Sequence, residues 1–205
     1  MSSAVQAGQT TTPKSADIAR VTPARVLAAQ ALARQDKARS LVALNEIFRE
    51  GTAPATLDGP CNGQLVVLDL APGVTALGNW LLGLYMPWLG KTFDHANSRG
   101  ANILRSSSKT LAHVLFPFYH AYTPRDEQTF LAFNFRTYIA AGKEDLDRQV
   151  LKIDYESQEN PPLSIRRVLD ELVQIEDNYY LGKAHLHAVT GGWKMVAFFA
   201  LQRRA

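Results

Sequence analysis

The last third of the chain constrains the fold most. Short apolar runs alternate there with turn signals, over residues 130–139, 149–155, 165–175, 179–189 and 193–201. Each run is bounded by Gly, Pro, Asn or a charge cluster, the pattern of an antiparallel meander. Several runs are apolar on both faces, so the sheet they build has to hide both sides. A sheet that closes on itself around an apolar interior meets that demand. The expected fold is therefore mainly β: an antiparallel barrel with N-terminal helices and one further helix capping its mouth or side.

The rest of the chain supplies the helices and the remaining strands. Residues 1–21 are rich in Ser, Thr, Gln, Ala and Gly and read as a disordered tail. Residues 22–51 read as a helical segment. Thr22 is placed to cap it and Pro23 suits its first position, where a missing N–H costs nothing. Ser40 is a second candidate cap, Leu41, Leu44, Ile47 and Phe48 recur at helical spacing, and Gly51 ends the run. One bent helix or a helical pair satisfies this pattern, closing a barrel end or packing on its wall. Residues 52–63, with Pro54, Gly59, Pro60 and Gly63, read as a linker. The barrel domain is assigned to 57–205, with strands at 64–70, 91–94 and 101–104 and a helix at 74–86. Residues 106–122 fit either a helix capped by Ser108 or a loop with an edge strand.

Composition narrows the function classes. A chain of 205 residues, 46% hydrophobic and 20% charged, is long enough for one sizeable core. Its single cysteine, Cys61, excludes an intramolecular disulfide and reads as a buried thiol. The formal charge of +3 is spread over scattered residues such as Arg25, Arg34, Arg49, Arg166 and Arg203, with no basic stripe for nucleic acid. The longest apolar stretch, 74–89, is broken by Gly78, Asn79, Gly83 and Pro87, so no membrane span is expected. The N-terminus has no apolar signal core, and the expected location is cytoplasmic. There is no Gly-rich phosphate loop, no zinc-type Cys–His spacing and no nucleophile elbow.

Further likeness lies in short motifs. Leu57-Asp-Gly59 with Gly63 precedes Trp88-Leu-Gly-Lys91-Thr-Phe93. Lys152-Ile-Asp-Tyr155, Asp170-Glu171, Leu181-Gly-Lys183 and Phe198-Phe-Ala-Leu201-Gln-Arg203 follow. In this order the chain resembles bacterial lipocalin-like proteins of the GXWXG kind, calycin-type up-and-down barrels, over residues 40–204. The resemblance implies an apolar cavity for a small molecule and carries over no catalytic residue. The chain departs from the pattern at Gly59-Pro-Cys-Asn-Gly63, which has no Trp between its glycines.

Candidate site residues follow from strand alternation. Leu151, Ile153 and Tyr155 share the natural inward face, so Tyr155 presents a hydroxyl that can orient a ligand carbonyl or act as a weak acid. Arg136 and Tyr138, with Asn134, make a polar wall if their face is the inner one. Leu65, Val67, Phe133, Phe135, Trp193 and Phe198 are candidate ligand-binding wall residues. His185 and His187 share one strand face and are candidate haem or metal ligands, although the small residues opposite them favour an outward position. Asp94 and His95 are adjacent on a strand and face opposite ways, as do Asp170 and Glu171. Asp170 needs a partner inside an apolar strand, and Arg166 or Arg167 is the expected one.

These residues support a protein that binds a hydrophobic small molecule of the fatty acid, polyketide or terpenoid class in its barrel. The alternatives are a cofactor-independent cyclase or isomerase using Tyr155, Tyr138 and Arg136, and haem or metal binding through His185 or His187. No cofactor, metal or nucleic acid is otherwise expected, and the oligomeric state is left open.

Overall fold

The computed structural model describes residues 23–70, 87–188 and 191–203 and forms a closed antiparallel barrel of eight strands with a few helices. The strands are β1 Gly59–Leu68, β2 Trp88–Asp94, β3 Arg99–Arg105, β4 Thr123–Pro124, β5 Thr129–Ala141, β6 Gln149–Asp154, β7 Val168–Glu176, β8 Tyr179–His187 and β9 Trp193–Arg203. They pair in the order β3-β2-β1-β9-β8-β7-β6-β5, and β3 pairs with β5 to close the ring. The two-residue β4 only flanks β5. The expected tail, the Thr22 cap and the helix at 74–86 lie outside the described residues.

The N-terminal region forms two helices, α1 Pro23–Leu32 and α2 Lys37–Glu50. Pro23 opens α1, where its fixed φ is preorganised for a helix. The cap of α2 is Asp36, whose side chain accepts from the Arg39 amide at 2.9 Å, and not Ser40. Ser40 lies inside α2, and its hydroxyl donates to the Ala29 carbonyl at 2.6 Å, tying the helices together.

Both helices lie on the outer wall. Val26, Ala29, Leu44, Ile47 and Phe48 are buried against Val67, Val173, Leu181 and Phe198. Burying Leu44, Ile47 and Phe48 contributes roughly 1.5–3 kcal/mol each. This layer explains the strands that are apolar on both faces. Ala184, Leu186, Phe199 and Leu201 pack in the barrel interior, while Leu181, Phe198 and Ala200 pack under the helices.

Several elements start elsewhere than the turn residues indicate. β1 begins at Gly59, inside the expected linker, and β2 begins at Trp88. Gly63 is a strand residue because a side chain there would lie 2.3 Å from the Trp88 indole. Gly182 serves Phe199 likewise, at 2.2 Å. Residues Ile165–Arg167 form a 3-10 turn, and β7 starts at Val168. Of the ambiguous 106–122 segment, Lys109–Leu115 is helical (α3). Ser108 does not cap α3; its hydroxyl donates to the Arg105 carbonyl at 2.6 Å.

Candidate functional site

Among the described residues, a cluster of buried polar side chains interrupts the apolar interior of the barrel. Lys91 on β2 and Asp170 on β7 are 3% and 2% exposed, and Lys91 Nζ meets Asp170 Oδ2 at 2.9 Å. In the strand order β2-β1-β9-β8-β7 these strands stand four places apart, so they face each other across the ring of eight. The ion pair therefore spans the lumen. Asp170 does not pair with an arginine as expected. Arg166 and Arg167 donate to backbone carbonyls of Asn160, Gln158 and His187. The physical reason is alternation: Val168, Asp170 and Leu172 share the inner face, and only a residue on another inward face can reach them.

Asn102 on β3 and Tyr155 at the end of β6 complete the cluster. The Asn102 carbonyl accepts from Lys91 Nζ at 3.0 Å and from the Trp88 indole N–H at 3.1 Å. Its amide donates to the Tyr155 oxygen at 3.1 Å and to the Phe133 carbonyl at 3.3 Å. Lys91 Nζ also donates to Tyr155 Oη, which lies 3.3 Å from Asp170 Oδ2. Asp170 Oδ1 is buried and has no hydrogen-bond partner among the described residues. Removing a carboxylate oxygen from water without a partner is costly, so this atom asks for a donor.

Aromatic rings surround the ammonium. Lys91 Nζ lies 5.0 Å from the Tyr155 ring centroid, 5.4 Å from Phe199, 5.5 Å from Phe135 and 5.6 Å from Trp88, within cation–π range. Burial pulls the Lys91 amine below its usual value, and the Asp170 carboxylate opposes that pull. A cavity of about 30 Å3 adjoins the cluster, lined by Trp88, Phe133, Tyr155, Ile165, Asp170 and Phe199 among others. It has the size of one or two waters.

The local backbone is shaped to build this wall. Phe133 is a non-glycine residue at φ +55° beside a register shift in the β3–β5 pairing. A bulge of this kind takes backbone groups out of the ladder and re-aims side chains. The Phe133 amide donates to the Tyr119 hydroxyl at 2.6 Å, while its carbonyl accepts from Asn102. Tyr119 in turn donates to the Ala121 carbonyl at 3.1 Å, and burial pushes its phenol up to about 12.

The sequence-derived candidates divide between the two faces. Tyr155, Phe133 and Phe135 pack in the lumen, with Leu65 partly buried against them. Val67 and Phe198 lie on the outer face under the helices. Arg136 and Tyr138 are also outside, where Asp154 approaches both at 3.4 Å, so neither shares a site with Tyr155. Trp193 sits at the surface, its ring 5.1 Å from that of His187. Cys61 is buried on the lumen side, with its thiol pushed up to about 11 by burial.

His185 is fully buried on the outer face, and neither ring nitrogen has a hydrogen-bond partner among the described residues. Lys152 pairs with Glu171 on that face, and Lys183 meets Asp145 at 2.6 Å with its ammonium 4.5 Å from the Phe48 ring centroid. Burial pulls the His185 imidazole below its usual value. Among the described residues no group of three or more His, Cys, Asp or Glu side chains is placed to hold a metal ion. No helix among them is long and apolar enough to cross a membrane.

Lys91 and Asn102 are the site residues that the sequence reading does not single out, and Asp170, which it marks as needing a partner, is there given an arginine in place of Lys91. A signal was present. Lys91 shares its face with Phe93, and Asp170 shares its face with Val168 and Leu172, so two opposite charges sit on apolar faces. Compared with protein-family models, curated proteins and solved structures, the chain matches none. The eight-stranded barrel agrees with the lipocalin-like resemblance at the level of architecture.

Proposed function

We propose that this protein binds a hydrophobic small molecule in the barrel lumen, with one polar group of the ligand held at the Lys91–Asn102–Tyr155–Asp170 cluster. The observation that carries this reading is the buried Asp170 Oδ1, which has no partner among the described residues and belongs to a residue that lines the cavity. A packed barrel gains nothing from such an atom. A ligand hydroxyl, or another donor on an otherwise apolar body, satisfies it. The rings of Trp88, Phe133, Phe135 and Phe199 supply the apolar contact, and burial of ligand surface at about 25 cal/mol per Å2 supplies most of the affinity. The likeness to the GXWXG kind of barrel supports the same reading.

The cavity of about 30 Å3 is smaller than a fatty acid, polyketide or terpenoid. A ligand of that class enters by parting the rings that line the lumen, with binding energy offsetting the lost packing. Native mass spectrometry with solvent extraction of the purified protein tests the proposal. The expected result is a co-purifying apolar molecule carrying one polar group, absent from the Lys91→Met/Asp170→Leu variant. A bare protein mass that stays unchanged on adding 1-dodecanol or geraniol overturns it.

A further inference from the structure

We infer that the lumen is a proton-transfer site, in which Asp170 removes a proton from the carbon next to a ligand carbonyl while Tyr155 holds the carbonyl oxygen. The inference rests on the binding reading above and adds a reaction to it. What carries it is the unequal use of the two Asp170 oxygens. Oδ2 accepts from Lys91 at 2.9 Å and has Tyr155 Oη at 3.3 Å. Oδ1 is buried, lies on a cavity-lining residue and has no partner among the described residues. A carboxylate held in place through one oxygen, with the other unpartnered among the described residues, has the arrangement of a general base.

The neighbouring groups sort into complementary roles. Lys91 has three ammonium protons, and they meet Asp170 Oδ2, Asn102 Oδ1 and Tyr155 Oη. It is a positioning residue: it anchors the carboxylate through Oδ2 and aims it. The Tyr155 oxygen accepts from both the ammonium and the Asn102 amide. Two donors on one phenol oxygen withdraw charge from it and strengthen its O–H, which donates to Asp170 Oδ2 over 3.3 Å and is taken over by the ligand oxygen on binding. Trp88 and the Phe133 carbonyl fix the Asn102 amide from the other side. A base and an oxyanion donor thus lie beside one cavity, walled by apolar side chains.

The substrate class this arrangement fits is an enolisable ketone or aldehyde on an apolar body, a β,γ-unsaturated carbonyl in particular. The C–H bond next to the carbonyl breaks, and its proton goes to Asp170 Oδ1. Its electron pair becomes a carbon–carbon double bond, and the carbonyl π pair moves onto the oxygen, held by Tyr155. Return of the proton to the γ carbon shifts the double bond into conjugation. No oxidant, reductant or second substrate is consumed.

The test uses cyclohex-3-en-1-one in D2O, with isomerisation read by the ultraviolet absorbance of the conjugated enone and binding read by quenching of tryptophan fluorescence. The expected result is saturable isomerisation. Asp170→Asn lowers turnover by about 100-fold or more, with probe affinity changed only about threefold. Tyr155→Phe lowers turnover by at least about tenfold. Thermal melting checks that each variant is folded; if Asp170→Asn is not, Tyr155→Phe decides, because a hydroxyl with no part in the reaction leaves the rate unchanged. Quenching without isomerisation overturns this inference and leaves the binding reading standing. No quenching by cyclohexenone or by geraniol overturns both.

Discussion

The backbone amide of Phe133 donates to the hydroxyl of Tyr119 at 2.6 Å, from a residue whose φ of +55° takes it out of the β ladder. The hydroxyl thus does the work of a missing strand partner. Tyr119→Phe leaves a buried N–H unsatisfied, which costs about 1–3 kcal/mol. Urea unfolding followed by circular dichroism should show a lower midpoint with an unchanged slope. An unchanged midpoint would show that water satisfies the bulge equally well.

The Lys91–Asp170 pair is expected to show strong coupling. Lys91→Met leaves a buried carboxylate uncompensated and should cost about 3–5 kcal/mol. Lys91→Met/Asp170→Leu removes both charges, leaves neither stranded, and should recover to within about 1 kcal/mol of the parent or exceed it. A double-mutant cycle measures this. Additive losses would mean that the two charges are stabilised by something other than each other.

Gly182 gives room to the Phe199 ring, since a Cβ there would lie 2.2 Å from it. Gly182→Ala should therefore destabilise by about 1–3 kcal/mol through overpacking. Phe199→Leu in the Gly182→Ala background should restore part of the loss. If the second change deepens it instead, the glycine serves the backbone rather than the ring.

His185 should set an acid limb of stability. Burial holds its pKa below the ordinary 6.5, with Glu171 and Asp170 opposing and Lys183 and Lys152 reinforcing. The folded state then binds fewer protons than the unfolded chain as the pH drops below 6.5. Its contribution is complete above that value and falls with decreasing pH by up to about 1.4 kcal/mol per unit, until the lowered pKa is reached. Asp145 acts in a separate window: its carboxyl is held below 3.8 by Lys183 and Arg49 despite burial, so its contribution is lost only at lower pH. His185→Leu should flatten the upper window and leave the lower one. Equilibrium unfolding across about pH 2–7 checks this; an unaltered slope between about 5 and 6.5 would exclude His185 as its source.

The barrel was legible because closure and alternation are properties of whole strands. The both-face apolar runs at the end of the chain needed two cores, and the lumen and the helix layer provide them. Parity within a strand is more fragile. Register shifts at Val66 in β1 and at Val196 in β9 put two neighbours on one face, Val66 with Val67 outside and Val196 with Ala197 inside. Phe199 is in the lumen and Phe198 outside, and two adjacent phenylalanines carry no mark that separates them. Gly63 reads as a turn because its spatial reason, the Trp88 ring, sits on another strand, while Gly59 opens β1 at φ +76° with nothing near it. Lys91 and Asp170 were missed as a pair for a related reason. They are far apart in sequence, and only barrel closure sets β2 opposite β7.

That opposition has a mechanical side. The Lys91–Asp170 contact works as a tie-rod across one diameter of a cylinder, so widening the bore along β2–β7 has to stretch it first. The perpendicular diameter runs from β9 to β5, where Phe199 stands opposite Phe133 and Phe135 with ring packing in place of a charged tie. A cylinder tied in one direction yields by becoming oval in the other. For the proposed ligand, the bore then opens as a slot parted between phenylalanines, with the polar cluster left standing as a ridge along its length.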